Sequence, residues 1–324
     1  KSVISKGIRV AAWTVLYIML GRLSNCRSGC RVIASQPRHA FSSPRSIRGV
    51  KCPAIGTKLI ALDFDGVVCD SCGESSLSAF KAAALLWPEI FQTLEAEARK
   101  DELVEKMRAV RPVVETGYEN IIQIRCLYEG VSVDEMLASW ERMLPARMSQ
   151  WGLNRAELVR LFGSVRDDWI AADLNGWLAP NRIYEGVAAP VRTAMSRHQV
   201  YIVTTKQAHY TEILMRDMAS VPFPPDRIFS QTVSGRPKGE VLAALAARHP
   251  DAVVKIFVED KLSTLEKVAR DPSLSDWQLY LVDWGYNTPQ ERARAAANPA
   301  ITILDKQQFE QLIAAEELAD LTVR

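Results

Sequence analysis

From residue 58 onward, short continuous apolar runs alternate with longer stretches in which apolar residues recur at helical spacing. Continuous apolar runs bounded by polar residues are typical of parallel strands that are buried on both faces. The predicted strands lie in the segments KLIALDF (58–64), QVYIVTTK (199–206), VVKIFVED (253–260), WQLYLVDWG (277–285) and AITILD (300–305). The predicted helices lie in the segments KGEVLAALAARHP (238–250), KLSTLEKVARDP (261–272), TPQERARAAANP (288–299) and DKQQFEQLIAAEEL (305–318). This alternation predicts an α/β fold with a Rossmann-like, doubly wound parallel sheet.

Residues 77–183 interrupt the alternation, because no convincing strand pattern occurs in them. Apolar residues instead recur on one helical face, as Leu77, Phe80, Ala84 and Trp87 do. The segment SVDE (132–135) is a capping-box pattern at the start of another predicted helix. We therefore expect an all-helical cap domain of residues 77–183, inserted into an α/β core of residues 58–76 and 184–324.

Charge is distributed unevenly along the chain. Residues 1–62 carry eleven Lys or Arg and no Asp or Glu. A segment rich in Arg and Ser that lacks acids has the composition of an organelle transit peptide, so residues 1–57 are predicted to be a presequence. The predicted destination is the chloroplast or another plastid, with the mitochondrion as the alternative.

Two other interpretations of residues 1–57 remain open. The apolar stretch Val10–Leu20 could be the hydrophobic region of a signal peptide, alone or ahead of a transit peptide. The segment could also be a basic tail without a targeting role. The stretch is shorter than the roughly 20 apolar residues that a membrane span requires, so we expect no stable span in the mature protein.

The composition of residues 63–324 excludes several classes of function. They hold 29 basic and 38 acidic residues, a net charge of −9, which argues against binding to nucleic acid. Only three of the six cysteines lie beyond the predicted presequence, too few for a disulfide framework. The four histidines have no metal-ligand spacing, so neither a zinc site nor a histidine-based triad is expected. Acidic residues must therefore carry any chemistry.

Acidic and phosphate-binding side chains follow several of the predicted strands. The carboxyl ends of parallel strands meet at one edge of the sheet, which is where ligands bind in such folds. The residues predicted at this edge are Asp63, Asp65, Thr204, Glu259 and Asp260, together with Lys238, which opens the helix just before the strand that ends in Glu259 and Asp260. A cluster of carboxylates with a hydroxyl and an ammonium group suits Mg²⁺-assisted phosphoryl transfer, in which a carboxylate is the nucleophile.

Four of these segments, taken in order, resemble the motifs of the haloacid dehalogenase superfamily. DFDGVV (63–68) resembles its nucleophile loop, and YIVTTK (201–206) its second motif. RPKGEVL (236–242) resembles the third motif, with Lys238 as the better match and Arg236 as a competitor. IFVED (256–260) resembles the fourth motif. The resemblance covers about residues 58–324, includes a helical cap after the first strand, and extends through DFDGVVCDSCGESSLSAFKAA (63–83) to plant and algal members.

The resemblance implies a role for each matching residue. Asp63 would attack phosphorus, and Asp65 would protonate the leaving oxygen and later deprotonate water. The residues implied for Mg²⁺ are the Asp63 carboxylate, the Asp65 backbone carbonyl, Glu259 and Asp260. Those implied for phosphate are Gly66, Thr204, Thr205 and Lys238. The implied activity is hydrolysis of a small phosphorylated metabolite through an aspartyl-phosphate, and the acid at position 65 argues against a dehalogenase.

Alternatives exist for both the function and the single residues. The same fold and aspartates could serve a phosphosugar mutase, or a catalytically idle binding or assembly protein. Taken alone, Asp63 and Asp65 could be a solvated turn, Lys238 a solvated charge, and Glu259 and Asp260 a favourable helix start. Cys69 and Cys72 could form a redox pair, but buried apolar filling is the favoured interpretation.

Overall fold

The computed structural model describes residues 56–315, except for the side chain of residue 233. Nearly all of the predicted presequence, including Cys26, Cys30 and Cys52, therefore lies outside the described residues, as does the end of the chain after residue 315. None of the helices within residues 56–315 is both long and apolar enough to cross a membrane.

A six-stranded parallel sheet, in the order β5-β4-β1-β6-β7-β8, forms the centre of the protein. The strands are β1 (Lys58–Leu62), β2 (Cys69–Asp70), β3 (Arg182–Ile183), β4 (Gln199–Thr204), β5 (Ile228–Ser230), β6 (Val254–Glu259), β7 (Trp277–Val282) and β8 (Ile301–Leu304). Leu59 of the central strand β1 pairs with Gln199 on one side and Lys255 on the other. The predicted α/β fold with a doubly wound parallel sheet is confirmed, and all five predicted strands are present.

Helices cover both faces of this sheet and form a separate segment between β2 and β3. The helices before β3 are α1 (Cys72–Leu86), α2 (Pro88–Phe91), α3 (Leu94–Ala98), α4 (Lys100–Val110), α5 (Glu119–Tyr128), α6 (Val133–Gln150), α7 (Arg155–Ala172) and α8 (Leu174–Leu178). Those after β3 are α9 (Ala188–Met195), α10 (Ala208–Asp217), α11 (Gln231–Ser234), α12 (Lys238–Arg248), α13 (Leu262–Ala269), α14 (Pro289–Ala296) and α15 (Lys306–Ala314). Three 3₁₀ helices span Arg111–Val113, Pro225–Arg227 and Pro272–Leu274.

The period of two along β1 divides the apolar core into two layers. Ile60 and Leu62 point to one face of the sheet, where they pack in a cluster with residues of α9, α10 and α15. Leu59 and Ala61 point to the other face and pack with residues of α12 and α13. Because β1 is buried on both faces, it forms a rigid base for the polar residues that follow its last residue.

The segment between β2 and β3 has an apolar cluster of its own, which includes Phe80, Ile121, Trp140 and Phe162. The predicted start of α6 is present in part: the Ser132 side chain accepts a hydrogen bond from the Glu135 backbone N–H at 3.2 Å. These helices therefore pack around one another rather than merely cover the sheet.

Three strands shorter than any predicted run complete the described part of the fold. β2 and β3 pair antiparallel, with Cys69 opposite Ile183, and so bring the two ends of the helical segment together. β5 pairs with β4 at the edge of the large sheet. The expectation that residues 77–183 contain no strand is wrong at their last two residues, which form β3.

Candidate active site

Asp63 and Asp65 begin a tight loop directly after β1. The Asp63 backbone N–H donates to the Val258 carbonyl at 2.9 Å, which continues the pairing of β1 with β6 for one more residue. The chain then reverses, as the N–H groups of Val68 and Cys69 donate to the Phe64 carbonyl at 2.9 and 3.0 Å. This reversal carries the chain into β2.

Gly66 is required in this loop for two reasons. Its φ is +88°, a left-handed conformation that a side chain disfavours. A Cβ atom at this position would also lie 2.0 Å from Asp260 Oδ2, which is shorter than any real contact. The absence of a side chain therefore lets the loop after β1 approach the acidic residues after β6. Gly66 was predicted to bind phosphate; that role remains a prediction.

Asp63, Glu259 and Asp260 form a buried acidic cluster. One carboxylate oxygen from each lies within 4.8 Å of the others. β1 and β6 are neighbours in the sheet, so the residues after their last positions meet at the same edge. The Tyr286 backbone N–H donates to Asp260 Oδ2 at 2.8 Å and fixes that carboxylate.

Lys238, the first residue of α12, neutralises part of this cluster. Its Nζ lies 3.0 Å from Asp63 Oδ1 and donates to Glu259 Oε2 at 2.7 Å. The competing Arg236 is exposed, and its guanidinium lies 3.8 Å from Glu240. Of the two basic residues considered for the third motif, Lys238 is thus the one that contacts Asp63.

The acidic cluster carries more negative charge than Lys238 compensates. Burial, with the Glu259 charge, raises the pKa of Asp63 to about 7, and burial with the Asp63 charge raises that of Asp260 to about 6. Burial also raises the pKa of Glu259. Asp63 Oδ1 is buried, and the Lys238 ammonium lies 3.0 Å from it. Three clustered, buried carboxylates that share one ammonium group retain oxygen lone pairs, and such a set of oxygen donors fits a divalent cation.

The Asp65 side chain lies outside this cluster and has different partners. Ser71 Oγ donates to Asp65 Oδ1, and Lys206 Nζ donates to the same oxygen at 3.3 Å. Burial alone would raise the pKa of Asp65, but the charges of Lys206 and Arg111 and the Ser71 hydrogen bond together lower it. The two aspartates, two residues apart in sequence, thus have opposite pKa shifts, as expected when two carboxylates have different tasks.

Thr204, the last residue of β4, and Thr205, which follows it, differ in their surroundings. Thr204 is buried, and its Oγ1 accepts a hydrogen bond from the Lys206 backbone N–H at 3.1 Å. Thr205 lines the cavity beside Asp63, and its carbonyl accepts a hydrogen bond from Thr232 Oγ1. Both were predicted to bind phosphate, and both lie at the edge of the sheet where the acidic cluster is.

A cavity of about 350 Å³ lies above the acidic cluster, between the sheet and the helical segment. Its lining includes Asp63, Lys238 and Asp260 from the sheet side, and Arg111 and Thr116 from the segment between α4 and α5. This volume is at the lower end of the range for small-molecule sites.

The sequence did not predict several residues around Asp65. Lys206 follows Thr204 by two residues, and this spacing from a strand end is the one signal that could have indicated it. Glu74 and Arg166 are buried, and Arg166 Nε and Nη2 donate to Glu74 at 2.7 and 2.9 Å. Lys206 Nζ lies 3.7 Å from Glu74 Oε2, so these side chains continue the charged network that begins at Asp65.

The two cysteines that follow the aspartates are free thiols and are buried. Cys72 is the first residue of α1, which begins five residues before the predicted start of the helical cap at residue 77. Burial nevertheless raises the pKa of both thiols, because it outweighs the nearby positive charges. Thiols of this kind are not reactive, which agrees with the interpretation of both as buried filling.

Comparison with known proteins gives matches among solved structures alone. Neither the family models nor the curated proteins that were compared match this chain. A predicted phosphoglycolate phosphatase from Haemophilus somnus is similar with 15% identity and a TM-score of 0.49, over 79% of this chain and 97% of its own. A haloacid dehalogenase-like hydrolase from Streptococcus pneumoniae has 14% identity and a TM-score of 0.46, over 78% and 96%. A HAD family hydrolase from Deinococcus radiodurans, with bound phosphate and sodium, has 13% identity and a TM-score of 0.42, over 83% and 99%.

Proposed function

We propose that the protein is a Mg²⁺-dependent phosphatase of the haloacid dehalogenase superfamily, in the branch with a helical cap after the first strand. It would hydrolyse a small phosphorylated metabolite through an aspartyl-phosphate. The observation that carries the proposal is Asp63, whose carboxylate lies between Lys238 and the acids Glu259 and Asp260 at one edge of the sheet. The match of the four sequence motifs to that superfamily supports it.

The residues of the acidic cluster fit Mg²⁺. Asp63, Asp260 and Glu259, with the Asp65 backbone carbonyl, would hold the ion, because one carboxylate oxygen from each of the three acids lies within 4.8 Å of the others. The ion would offset the negative charge of the carboxylates and of the phosphate, which otherwise repel each other. Lys238 would contribute to the same neutralisation, because its ammonium already contacts Asp63.

The proposed reaction has two steps, and both use Asp63 and Asp65. In the first, an Asp63 carboxylate oxygen forms a bond to phosphorus while the ester P–O bond breaks, and protonated Asp65 gives its proton to the leaving oxygen. In the second, Asp65 accepts a proton from water, the water oxygen bonds to phosphorus, and the bond between Asp63 and phosphorus breaks. Asp65 is favoured as the anion here, so it would take up its proton when a phosphate dianion binds beside it.

The direct test is hydrolysis of a panel of phosphorylated metabolites with Mg²⁺, with chelator, and with Asp63→Asn. The proposal expects release of phosphate from at least one compound, dependent on Mg²⁺ and lost in Asp63→Asn. Absence of turnover across a broad panel would contradict it. Release of phosphate at equal rates in excess chelator would agree with hydrolysis but would contradict the requirement for Mg²⁺.

We also propose that residues 1–57 direct the protein to a plastid. The support is their composition, which is rich in Arg and Ser and lacks acids. A fluorescent protein fused behind these residues is expected in plastids of a plant or algal cell. Mitochondrial fluorescence would replace the plastid with the alternative organelle, and diffuse cytosolic fluorescence would contradict a targeting role.

A further inference from the structure

Arg111 reaches the candidate active site from the helical segment. It is the first residue of the 3₁₀ helix Arg111–Val113, which follows α4. Its guanidinium carbon lies 4.2 Å from the centre of the Tyr286 ring, on the sheet side of the cavity. This contact occupies one face of the planar guanidinium, so the N–H donors at its edge remain available to a ligand.

The other cations near the aspartates already have partners. Lys238 contacts Asp63 and Glu259, and Lys206 contacts Asp65 and Glu74. Lys261, which also lines the cavity, donates to the Val114 carbonyl at 3.0 Å. Each of these ammonium groups therefore already contacts an acceptor within the protein.

Among residues 56–315, no carboxylate oxygen lies within 4.0 Å of the Arg111 guanidinium, which distinguishes Arg111 from Lys206 and Lys238, although its charge helps to lower the pKa of Asp65. Its Nη1 makes a long hydrogen bond of 3.4 Å to the Val114 carbonyl. Its Nε is buried and has no hydrogen-bond partner among these residues. A buried N–H of a charged group that lacks an acceptor is unfavourable, so a bound anion would relieve it.

The position of Arg111 relative to Asp65 shows which part of a substrate it would face. Arg111 and Asp65 both line the cavity above the acidic cluster, and both also line a smaller adjoining cavity of about 40 Å³. Under the proposed function, Asp65 is the group that protonates the leaving oxygen. A cation beside Asp65 therefore lies on the leaving-group side, whereas Lys238 lies beside the nucleophile Asp63.

We propose that Arg111 binds a second oxyanion, a carboxylate or a second phosphate, on the leaving group of the substrate. The substrate class is then phosphomonoesters whose leaving group carries another negative charge, rather than esters with an uncharged alkyl or sugar leaving group. The planar, stacked guanidinium suits such a group, since two parallel N–H donors match two oxygens. This inference rests on the proposed function, and it adds the class of substrate.

The test compares esters that differ in the second anion alone. Purified full-length protein is assayed with n-alkyl phosphates, with ω-carboxyalkyl phosphates of the same chain lengths, and with alkanediol bisphosphates. The wild-type kcat/KM is expected to favour a charged series over the alkyl series by about tenfold or more at its best chain length. The series that is favoured identifies the oxyanion as carboxylate or phosphate. Equal kcat/KM for the esters with and without the second anion, at every chain length, would overturn the proposal.

Three variants then assign the preference to one side chain. The relevant ratio is kcat/KM for esters with the second anion divided by kcat/KM for the alkyl phosphates. Arg111→Gln is expected to lower this ratio by about tenfold, and Arg111→Lys, which keeps the charge but not the planar arrangement of N–H donors, by less. Arg142→Gln removes an exposed arginine of α6 that does not line the cavity, and should leave the ratio unchanged. A ratio that persists in Arg111→Gln overturns the assignment, and the wild-type preference is measurable even if that variant does not fold.

A binding measurement separates this inference from the proposed function. If no phosphomonoester is hydrolysed, the proposed function fails, but the preference for a second anion can still be measured with phosphonates. Calorimetry with Mg²⁺ should show tighter binding of ω-carboxyalkyl phosphonates or alkane bisphosphonates than of alkyl phosphonates, and Arg111→Gln should remove the difference. Equal affinities for the phosphonates with and without the second anion would overturn the inference.

Discussion

Arg166 and Glu74 form a buried bidentate ion pair that extends from the helical segment toward the candidate active site. Arg166 Nε and Nη2 lie 2.7 and 2.9 Å from the two Glu74 carboxylate oxygens, and Ser78 Oγ donates to the same carboxylate at 2.7 Å. Lys206 approaches from the sheet side and also contacts Asp65. Glu74 is therefore the anion that compensates two buried cations at once.

Removal of the Glu74 charge should destabilise the protein strongly. Glu74→Gln leaves Arg166 and Lys206 buried with less compensation, and loss of one partner of a buried pair costs about 3–5 kcal/mol. Glu129→Gln is the matched control, because Glu129 pairs with Arg125 at the surface and should cost about 1 kcal/mol or less. Denaturant unfolding of the three proteins gives the free energies. A loss for Glu74→Gln no larger than the control would contradict the prediction.

The contribution of Glu74 should depend on pH in one direction. Burial would raise its pKa, but Arg166 and Lys206 outweigh burial and hold it below the ordinary value of 4.5. A carboxylate with a lowered folded pKa contributes stability that is present above its unfolded pKa and is lost as pH falls through the folded pKa. The difference between wild type and Glu74→Gln should thus be largest near neutral pH and shrink below about pH 4.5. A difference that stays constant between pH 7 and pH 3 would show that the carboxylate charge is not the cause.

Asp63→Asn should abolish turnover and stabilise the metal-free protein. The amide is a poor nucleophile, and uncatalysed phosphate-monoester hydrolysis is too slow to mask its loss. The same change removes the Asp63 carboxylate, whose pKa is raised by burial and by the Glu259 charge, so the melting temperature in chelator should increase. Thermal unfolding and phosphate release measure the two effects. A variant that keeps the wild-type rate, or melts lower in chelator, would contradict this account of Asp63.

Mg²⁺ should stabilise the wild-type protein through the acidic cluster. A ligand that binds the folded state alone raises the melting temperature with its concentration. Asp260→Ala should raise the Mg²⁺ concentration for half-maximal activity by at least about tenfold. Excess Ca²⁺ should suppress activity, because it takes more ligands in a looser geometry. An unchanged Mg²⁺ requirement in Asp260→Ala would show that Asp260 is not a ligand of the ion.

Cys69 and Cys72 should resist thiol reagents in the native protein. Both are buried and have raised pKa values, so little thiolate is exposed. Alkylation followed by peptide mass spectrometry should modify them slowly before unfolding and quickly in denaturant. Rapid native modification of either cysteine, or a disulfide between them under mild oxidation, would restore the redox interpretation.

The strands were predictable because burial on both faces leaves a continuous apolar run, as in β1. β5 was not, since three residues at an edge of the sheet give no run to recognise. The start of α1 was placed too late because Gly73 and three serines favour turns over helices. In the structure Ser75 and Ser76 instead donate to the carbonyls four residues earlier, at 2.6 and 2.7 Å, which accommodates them inside a buried helix.

The candidate site divides in the same way. Asp63 and Asp260 each follow a strand, Glu259 is the last residue of one, and the sheet itself brings strand ends together. The partners of Asp65 and Glu74 could not be predicted, because they are distant in sequence. Lys206 is 141 residues from Asp65, and Arg166 is 92 residues from Glu74. Periodicity indicates which face of a helix is buried, but it does not indicate which distant side chain meets that face. Arg111 gave no signal either, since it is one of many basic residues in a helical region.

The pairing of β2 with β3 makes the helical segment exchangeable as a unit. The chain enters the helical segment through Cys69–Asp70 and leaves it through Arg182–Ile183, and these paired strands place the two junctions about 5 Å apart. Another segment with ends at that spacing would keep the order of the six large strands, provided that it also supplies a counter-charge for Lys206, as Glu74 of α1 does here. Chimaeras should be joined at these two strands rather than at Leu77, which lies inside α1. Under the proposed function, exchange of the segment between these two junctions would give the same core a different choice of substrates.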